Sequence, residues 1–307
     1  MKLLVLAPRG YCAGVDMAVR ALERALELFS VPIYVYHQIV HNTYVVSSFS
    51  GRGVTFVDSI EDVPDGAVLF YSAHGVAPAI RAESARKNLT VVDATCPLVL
   101  KVHHEARRFA DGGATVVVVG HAGHDEVVGV MGEIANRAVL IESADDVATI
   151  GIGDDEPVAY VTQTTLSLTD TRTVIDRLRE RFPSIQEPPR QDICYATQNR
   201  QDAVREAAEE AEMVIVIGSE NSSNTKRLVE AAGERGARAH RIDSAADLDF
   251  TWFAGVSTCA ITAGASVPES LVRSAIEAIA ARIDIEIETR DLTVETQRFA
   301  LPAVLAR

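Results

Sequence analysis

The chain alternates short, almost wholly apolar runs with longer amphipathic stretches. Seven runs stand out: KLLVLA, PIYVYH, AVLFYS, TVVVVG, PVAYVT, MVIVIG and CAITAG. Their length and β-branched content predict strands. Between them lie segments with helical spacing. In VDMAVRALERALELF, Val15, Ala18, Val19, Leu22, Leu26 and Phe29 fall on one face, the apolar stripe of a packed helix. Strands alternating with helices predict an α/β protein with mostly parallel sheets.

A longer period overlies this rhythm. Three cysteines, Cys12, Cys96 and Cys194, each stand just before a helical stretch. Pro97, after Cys96, suits the first turn of a helix. Beyond each helix comes a strand, then a polar turn. These turns carry His41, His124 and Ser222, at 29, 28 and 28 residues past the matching cysteine. A second strand in each third ends in another polar turn, with His74, Thr164 and Ser266 at offsets of 62, 68 and 72. The chain therefore reads as three copies of one α/β unit. Open α/β sheets place ligands at the carboxyl ends of their strands, which is where all six turns fall. The expected segments are 1–96, 97–190 and 191–280, each one α/β domain, with a tail over 281–307 packing back on the first.

Cysteines at helix starts sit at the positive end of the helix dipole, so they are candidate ligands. The gaps between them, 84 and 98 residues, are unlike the close pairs of structural zinc sites. A [4Fe-4S] cluster normally takes four cysteines; with three, one iron keeps an open position for substrate. The fourth cysteine, Cys259, lies out of phase in a strand and reads as a buried thiol.

The turns suggest what would bind. His41, His74 and His124 supply imidazoles. Ser222, Ser223, Asn224 and Ser266 supply hydroxyls and an amide, and helix N-termini behind them favour phosphate. GSENSSNTK is not a Walker loop. Glu126, two residues past His124, is the candidate proton donor, with a pKa expected to be raised by desolvation; Asp125 is its rival. Thr164 and Thr165 could orient or relay that proton. His37, His103, His104, His121 and His240 read as helix caps or exposed residues.

Composition narrows the class. The 307 residues carry a formal net charge of −14, unlike the basic face of a nucleic-acid binder. No apolar run reaches membrane-spanning length, and the opening MKLLVLAPRG is too brief for a signal peptide. The dispersed cysteines imply a reducing compartment, so the expected location is the cytoplasm.

The stretches APRGYCAGVDMAV, IVHNTYVV, SAHGV, DATCPLVLKVH, GHAGHDEVVGVMGE, TQTTLS, ICYATQNRQ, GSENSSNTKRL and TAGASVPESL together resemble the 4-hydroxy-3-methylbut-2-enyl diphosphate reductases, the LytB/IspH family. The resemblance implies a cloverleaf of three α/β domains around a [4Fe-4S] cluster held by Cys12, Cys96 and Cys194. It implies a diphosphate pocket from His41, His74, His124, Ser222, Ser223, Asn224 and Ser266. Glu126 would be the proton source, with Thr164 beside the substrate hydroxyl. The implied activity is two-electron reductive dehydroxylation of the allylic diphosphate to isopentenyl and dimethylallyl diphosphates, the last step of the non-mevalonate isoprenoid pathway. Ferredoxin or flavodoxin would donate the electrons. The chain departs from the family pattern at Met17, Ala122, Asp125 and Glu220, where two expected positive charges are missing, and the tail beyond about residue 280 matches poorly. Three rival readings make distinct predictions. A quinolinate-synthase-like enzyme needs cations for carboxylates, a non-enzymatic iron–sulfur sensor needs no proton donor, and a Rossmann-type binder needs no iron.

Overall fold

The structure, a computed structural model, describes residues 1–153 and 155–305. In chain order the elements are β1 (Lys2–Ala7), α1 (Ala13–Leu28), β2 (Ile33–Tyr36), α2 (Thr43–Ser50), β3 (Val54–Val57), β4 (Val68–Tyr71), α3 (Pro78–Arg86), β5 (Thr90–Asp93), α4 (Pro97–Asp111), β6 (Thr115–Val119) and α5 (Asp125–Glu133). They continue with β7 (Ala138–Ile141), β8 (Val158–Thr162), α6 (Leu168–Arg181), α7 (Tyr195–Ala207), β9 (Met213–Ile217), α8 (Ser223–Gly233), β10 (Arg238–Ile242), β11 (Thr258–Ala263), α9 (Glu269–Ala280) and β12 (Glu286–Asp291). The strands form three sheets with the orders β10-β9-β11-β1-β12, β3-β2-β4-β5 and β7-β6-β8. Every pairing is parallel, as strand–helix alternation predicts.

The chain divides into two compact units. One comprises Met1–Asp16, Val40–Gly51 and Tyr195–Arg298 and contains the five-stranded sheet. The other comprises Met17–Ile39, Arg52–Cys194 and Phe299–Arg307 and contains the other two sheets.

In the first unit, alternate side chains of each strand enter two cores. Leu3, Val5, Ile215 and Ile261 pack with Val272, Ala275 and Ile279 of α9. Leu4, Leu6, Val214 and Val216 face the opposite way, against Val204 of α7 and Leu228 and Ala231 of α8. A strand covered on both faces is apolar throughout, which explains the unbroken runs MVIVI and KLLVLA. The second unit repeats the device. Val117, Val119 and Tyr160 pack on Val174 and Leu178 of α6, while Val116, Val118 and Val161 pack on Val102 and Phe109 of α4 and Val127 and Val130 of α5. In the four-stranded sheet, Leu69 and Tyr71 are buried with Val57, Ile60, Val63 and Val76.

All seven strands expected from the sequence are present. β1 does not join the sheet of the residues that follow it; it lies between β11 and β12, with Leu3 beside both Cys259 and Ile287. Residues between β12 and a short 3-10 turn at Ala303–Leu305 have no regular structure.

Candidate active site

Each of the three in-phase cysteines sits at a helix start. Cys12 and Cys194 immediately precede α1 and α7, and Cys96 is the N-cap of α4 with Pro97 after it. All three are half-buried, and none is in a disulfide. Cys259 differs. It is fully enclosed in β11, and burial pushes its thiol up to about 12, so it stays protonated and inert. The six polar turns all connect a strand end to a helix start, the position where backbone N–H groups lack acceptors within the helix.

In the first unit, four of the expected residues are tied around Ala265. Cys12 N donates to Ala265 O at 3.2 Å. Ala265 N donates to Asn224 Oδ1 at 2.9 Å, and Ser266 Oγ donates to the His41 carbonyl at 2.9 Å. Asn224 Nδ2 also reaches Thr197 Oγ1, at 3.4 Å. Ser222 caps α8 by accepting from Thr225 N, which places Ser223 and Asn224 in the first turn. A packing constraint brings α8 this close to the strands. A Cβ on either Gly218 or Gly264 would lie 2.3 Å from Thr225 Oγ1, so only glycine fits at both strand ends. The N-terminus of α2 is tied in as well, because Thr43 N donates to Ser219 Oγ at 2.9 Å.

In the second unit, a chain of contacts runs from Cys96 to Cys194. Cys96 N donates to Ala73 O at 2.9 Å. The next residue, His74, places Nδ1 3.8 Å from Glu126 Oε1. Thr164 donates twice to the same carboxylate, from N to Oε2 at 2.8 Å and from Oγ1 to Oε1 at 3.0 Å. Thr164 O in turn accepts from Cys194 N at 3.1 Å. His124 lies edge-on to His74, with ring centroids 5.8 Å apart. Its Nδ1 accepts the Glu126 N–H at 3.2 Å, and burial lowers its pKa. The neutral ring therefore carries its proton on Nε2. His124 is thus both the cap of its helix and a donor at the turn. Thr165 Oγ1 accepts from Gln163 Nε2 at 2.8 Å.

Glu126 corrects one expectation. It is 4% exposed, and burial alone would push its carboxyl up. The neighbouring His74 and His124 imidazoles and the Thr164 N–H outweigh that and hold it down at about 2. Glu126 is therefore a carboxylate here.

Some residues at these turns carry no obvious sequence signal. Gln163 is buried and spans the turn, accepting from His121 N at 3.1 Å while donating to Thr165. His103 is neither a cap nor exposed. It is enclosed midway along α4, 3.1 Å from Glu133 Oε1, and burial lowers its pKa. A Cβ on Gly75 or Gly129 would come within 3.1 or 3.0 Å of its ring, so both glycines make room for it. The glycine beside His74 was the available hint.

Among the described residues no three His, Cys, Asp or Glu side chains converge as a single metal ion requires. Thiolates are soft donors and the ordinary ligands of iron–sulfur clusters, which distribute their ligands over several metal atoms. Three half-buried cysteines at helix N-termini, with the fourth sealed in a core, fit that donor chemistry.

The chain is similar to known proteins over nearly its whole length. The LytB protein family matches residues 3–280. A 4-hydroxy-3-methylbut-2-enyl diphosphate reductase from Shewanella pealeana is 51% identical over 99% of this chain and 100% of its own length. One from Cutibacterium acnes is 49% identical over 100% of this chain and 95% of its own. Among solved structures, the E-1-hydroxy-2-methyl-but-2-enyl-4-diphosphate reductase of Plasmodium falciparum superposes with a TM-score of 0.97 at 35% identity, covering 99% of this chain and 96% of that one. An (E)-4-hydroxy-3-methyl-but-2-enyl diphosphate reductase, described as the terminal enzyme of the non-mevalonate pathway, gives a TM-score of 0.66 at 30% identity over 92% of this chain and 100% of its own. With a family match over most of its length and relatives near half identity end to end, this chain belongs to the LytB protein family.

Proposed function

We propose that this chain is a 4-hydroxy-3-methylbut-2-enyl diphosphate reductase. Two electrons and two protons convert the allylic alcohol to isopentenyl or dimethylallyl diphosphate, and the hydroxyl leaves as water. The observation that carries this reading is the buried Glu126 carboxylate, held by Thr164 and His74 between the backbones of the Cys96 and Cys194 turns.

Cys12, Cys96 and Cys194 would hold a [4Fe-4S] cluster. When bound, that group supplies the electrons and an open, Lewis-acidic iron. The remaining chemistry belongs to side chains. His41, His74, His124, Ser222, Ser223, Asn224 and Ser266 would bind the diphosphate, His124 donating from Nε2. For Asn224 and Ser266, an incoming phosphate oxygen would replace the present internal partners. The Thr164 hydroxyl would orient the substrate alcohol, with Thr165 next to it. Glu126 must take up a proton before it can give one. Anionic substrate and added electrons both increase negative charge around it, which raises its proton affinity. Its proton then goes to the departing hydroxyl oxygen. Ferredoxin or flavodoxin would deliver the electrons. The four cysteines outside disulfides suit a reducing cytoplasm.

Glu126→Gln tests the reading. The amide keeps the shape and cannot deliver an acid proton, so kcat should fall by about 100-fold or more while the allylic diphosphate still binds by calorimetry. Wild-type turnover in this variant would contradict the assignment. A wild-type protein that binds the diphosphate and turns nothing over would favour a sensor.

A further inference from the structure

Arg200 heads the fully enclosed side chains by size, at 1% exposure. It lies on α7, six residues past Cys194. A guanidinium cannot shed its charge, so it must be compensated where it lies. Nη1 donates to Ala196 O at 2.9 Å and to Glu295 Oε1 at 3.0 Å. Nη2 donates to Gly10 O at 2.9 Å and to Glu295 Oε2 at 3.3 Å. Glu295 comes from the irregular tail after β12, and Asn199 Nδ2 steadies it at 3.1 Å. The tail begins at the strand end, where Leu292 N donates to Ala7 O at 3.0 Å.

Gly10 stands two residues before Cys12. Its φ is +66°, and a Cβ there would lie 3.0 Å from Val267 O, so this turn is held in a conformation and a space that glycine suits. The Arg200 fork fixes the turn's carbonyl. It also belongs to the helix that Cys194 introduces. One charged group thus joins the Cys12 turn, the first turns of α7 and the tail.

We infer that Glu295 and Arg200 form a buried clamp that positions the Cys12 turn, so that the C-terminal tail helps hold the cysteine ready as a ligand. Both are positioning residues that act through the Gly10 carbonyl. The inference rests on Cys12 being a cluster ligand. The clamp's mechanical part, order in the turn, can be read without any cluster.

The test uses the full-length chain with Glu295→Gln and Arg200→Lys. Glutamine removes the charge and keeps an acceptor; lysine keeps the charge and loses the fork. With iron stripped, alkylation of each cysteine is timed by mass spectrometry. After anaerobic reconstitution, iron release to a chelator is followed. Loss of a charge-assisted hydrogen-bond pair should raise Cys12 alkylation by about tenfold, with Cys96 and Cys259 unchanged, and speed iron release by a similar factor. Equal acceleration at Cys96 and Cys259 would mean general loosening and overturn the clamp. So would variants that match wild type at Cys12. If Cys12 alone responds but the wild type takes up no iron, the clamp stands and the cluster reading fails.

Discussion

His37 has a backbone φ of +55°, and its Nδ1 lies 2.6 Å from Asp125 Oδ1. Asp125 is the first residue of α5, between His124 and Glu126. Its hydrogen bond raises the His37 pKa against partial burial, helped by the charges of Asp125 and Asp58. A raised folded-state pKa adds stability that is fully present below about pH 6.5, the ordinary histidine value. That stability fades as pH rises through the raised value. His37→Gln should therefore be less stable than wild type near pH 6, by no more than about 1 kcal/mol for a partly exposed pair. Denaturant midpoints should converge toward pH 9; a gap that widens with pH would contradict the assignment. Neither this pair nor the ionisation of Glu126 was legible in the sequence. Asp125 is 88 residues from His37, and Thr164 is 38 from Glu126. Burial of Glu126 could be guessed from its apolar neighbours, whereas the partners that reverse its effect arrive only with the fold.

At the level of elements, the strand-end turns depend on how closely helices approach the sheet. Gly264 follows β11, and a Cβ there meets Thr225 Oγ1 at 2.3 Å. Gly264→Ala should destabilise the protein by roughly 1–3 kcal/mol, the usual range for overpacking, and loosen the start of α8 that carries Ser222–Asn224. Thr225→Ala removes the obstructing hydroxyl, so the double variant should recover part of the loss, as a double-mutant cycle on melting midpoints would show. Strict additivity would contradict this contact. The same scale explains which strands were visible. β3, β5, β7, β10 and β12, unannounced by the sequence pattern, are all edge strands. Sequences such as RAHRI and EIETRD are half-exposed there, and a strand covered on one side has no need of an unbroken apolar run. The interior strands and the fully buried edge strand β8 carry that run and were plain.

For the whole molecule, the informative signal was phase rather than any single motif. Cys12, Cys96 and Cys194 each introduce a helix, and His41, His124 and Ser222 each lie in the turn after the strand that follows. That regularity survives because a turn at a parallel strand's carboxyl end combines a fixed position with exposed backbone donors. The place of β1 between β11 and β12 was not legible, since pairing partners 256 and more residues away leave no local trace. The Glu295–Arg200 contact is hidden for the same reason, at a separation of 95 residues. The central claim is that three cysteines and Glu126 serve one reductive dehydroxylation. The most direct measurement is turnover of 4-hydroxy-3-methylbut-2-enyl diphosphate by the anaerobically reconstituted protein with a chemical reductant, comparing wild type with Cys12→Ser, Cys96→Ser, Cys194→Ser and Cys259→Ser. The account predicts isopentenyl and dimethylallyl diphosphates from wild type and Cys259→Ser, and none above background from the other three. Turnover that survives loss of Cys12, Cys96 or Cys194, or a reconstituted wild type that makes neither product, would contradict it.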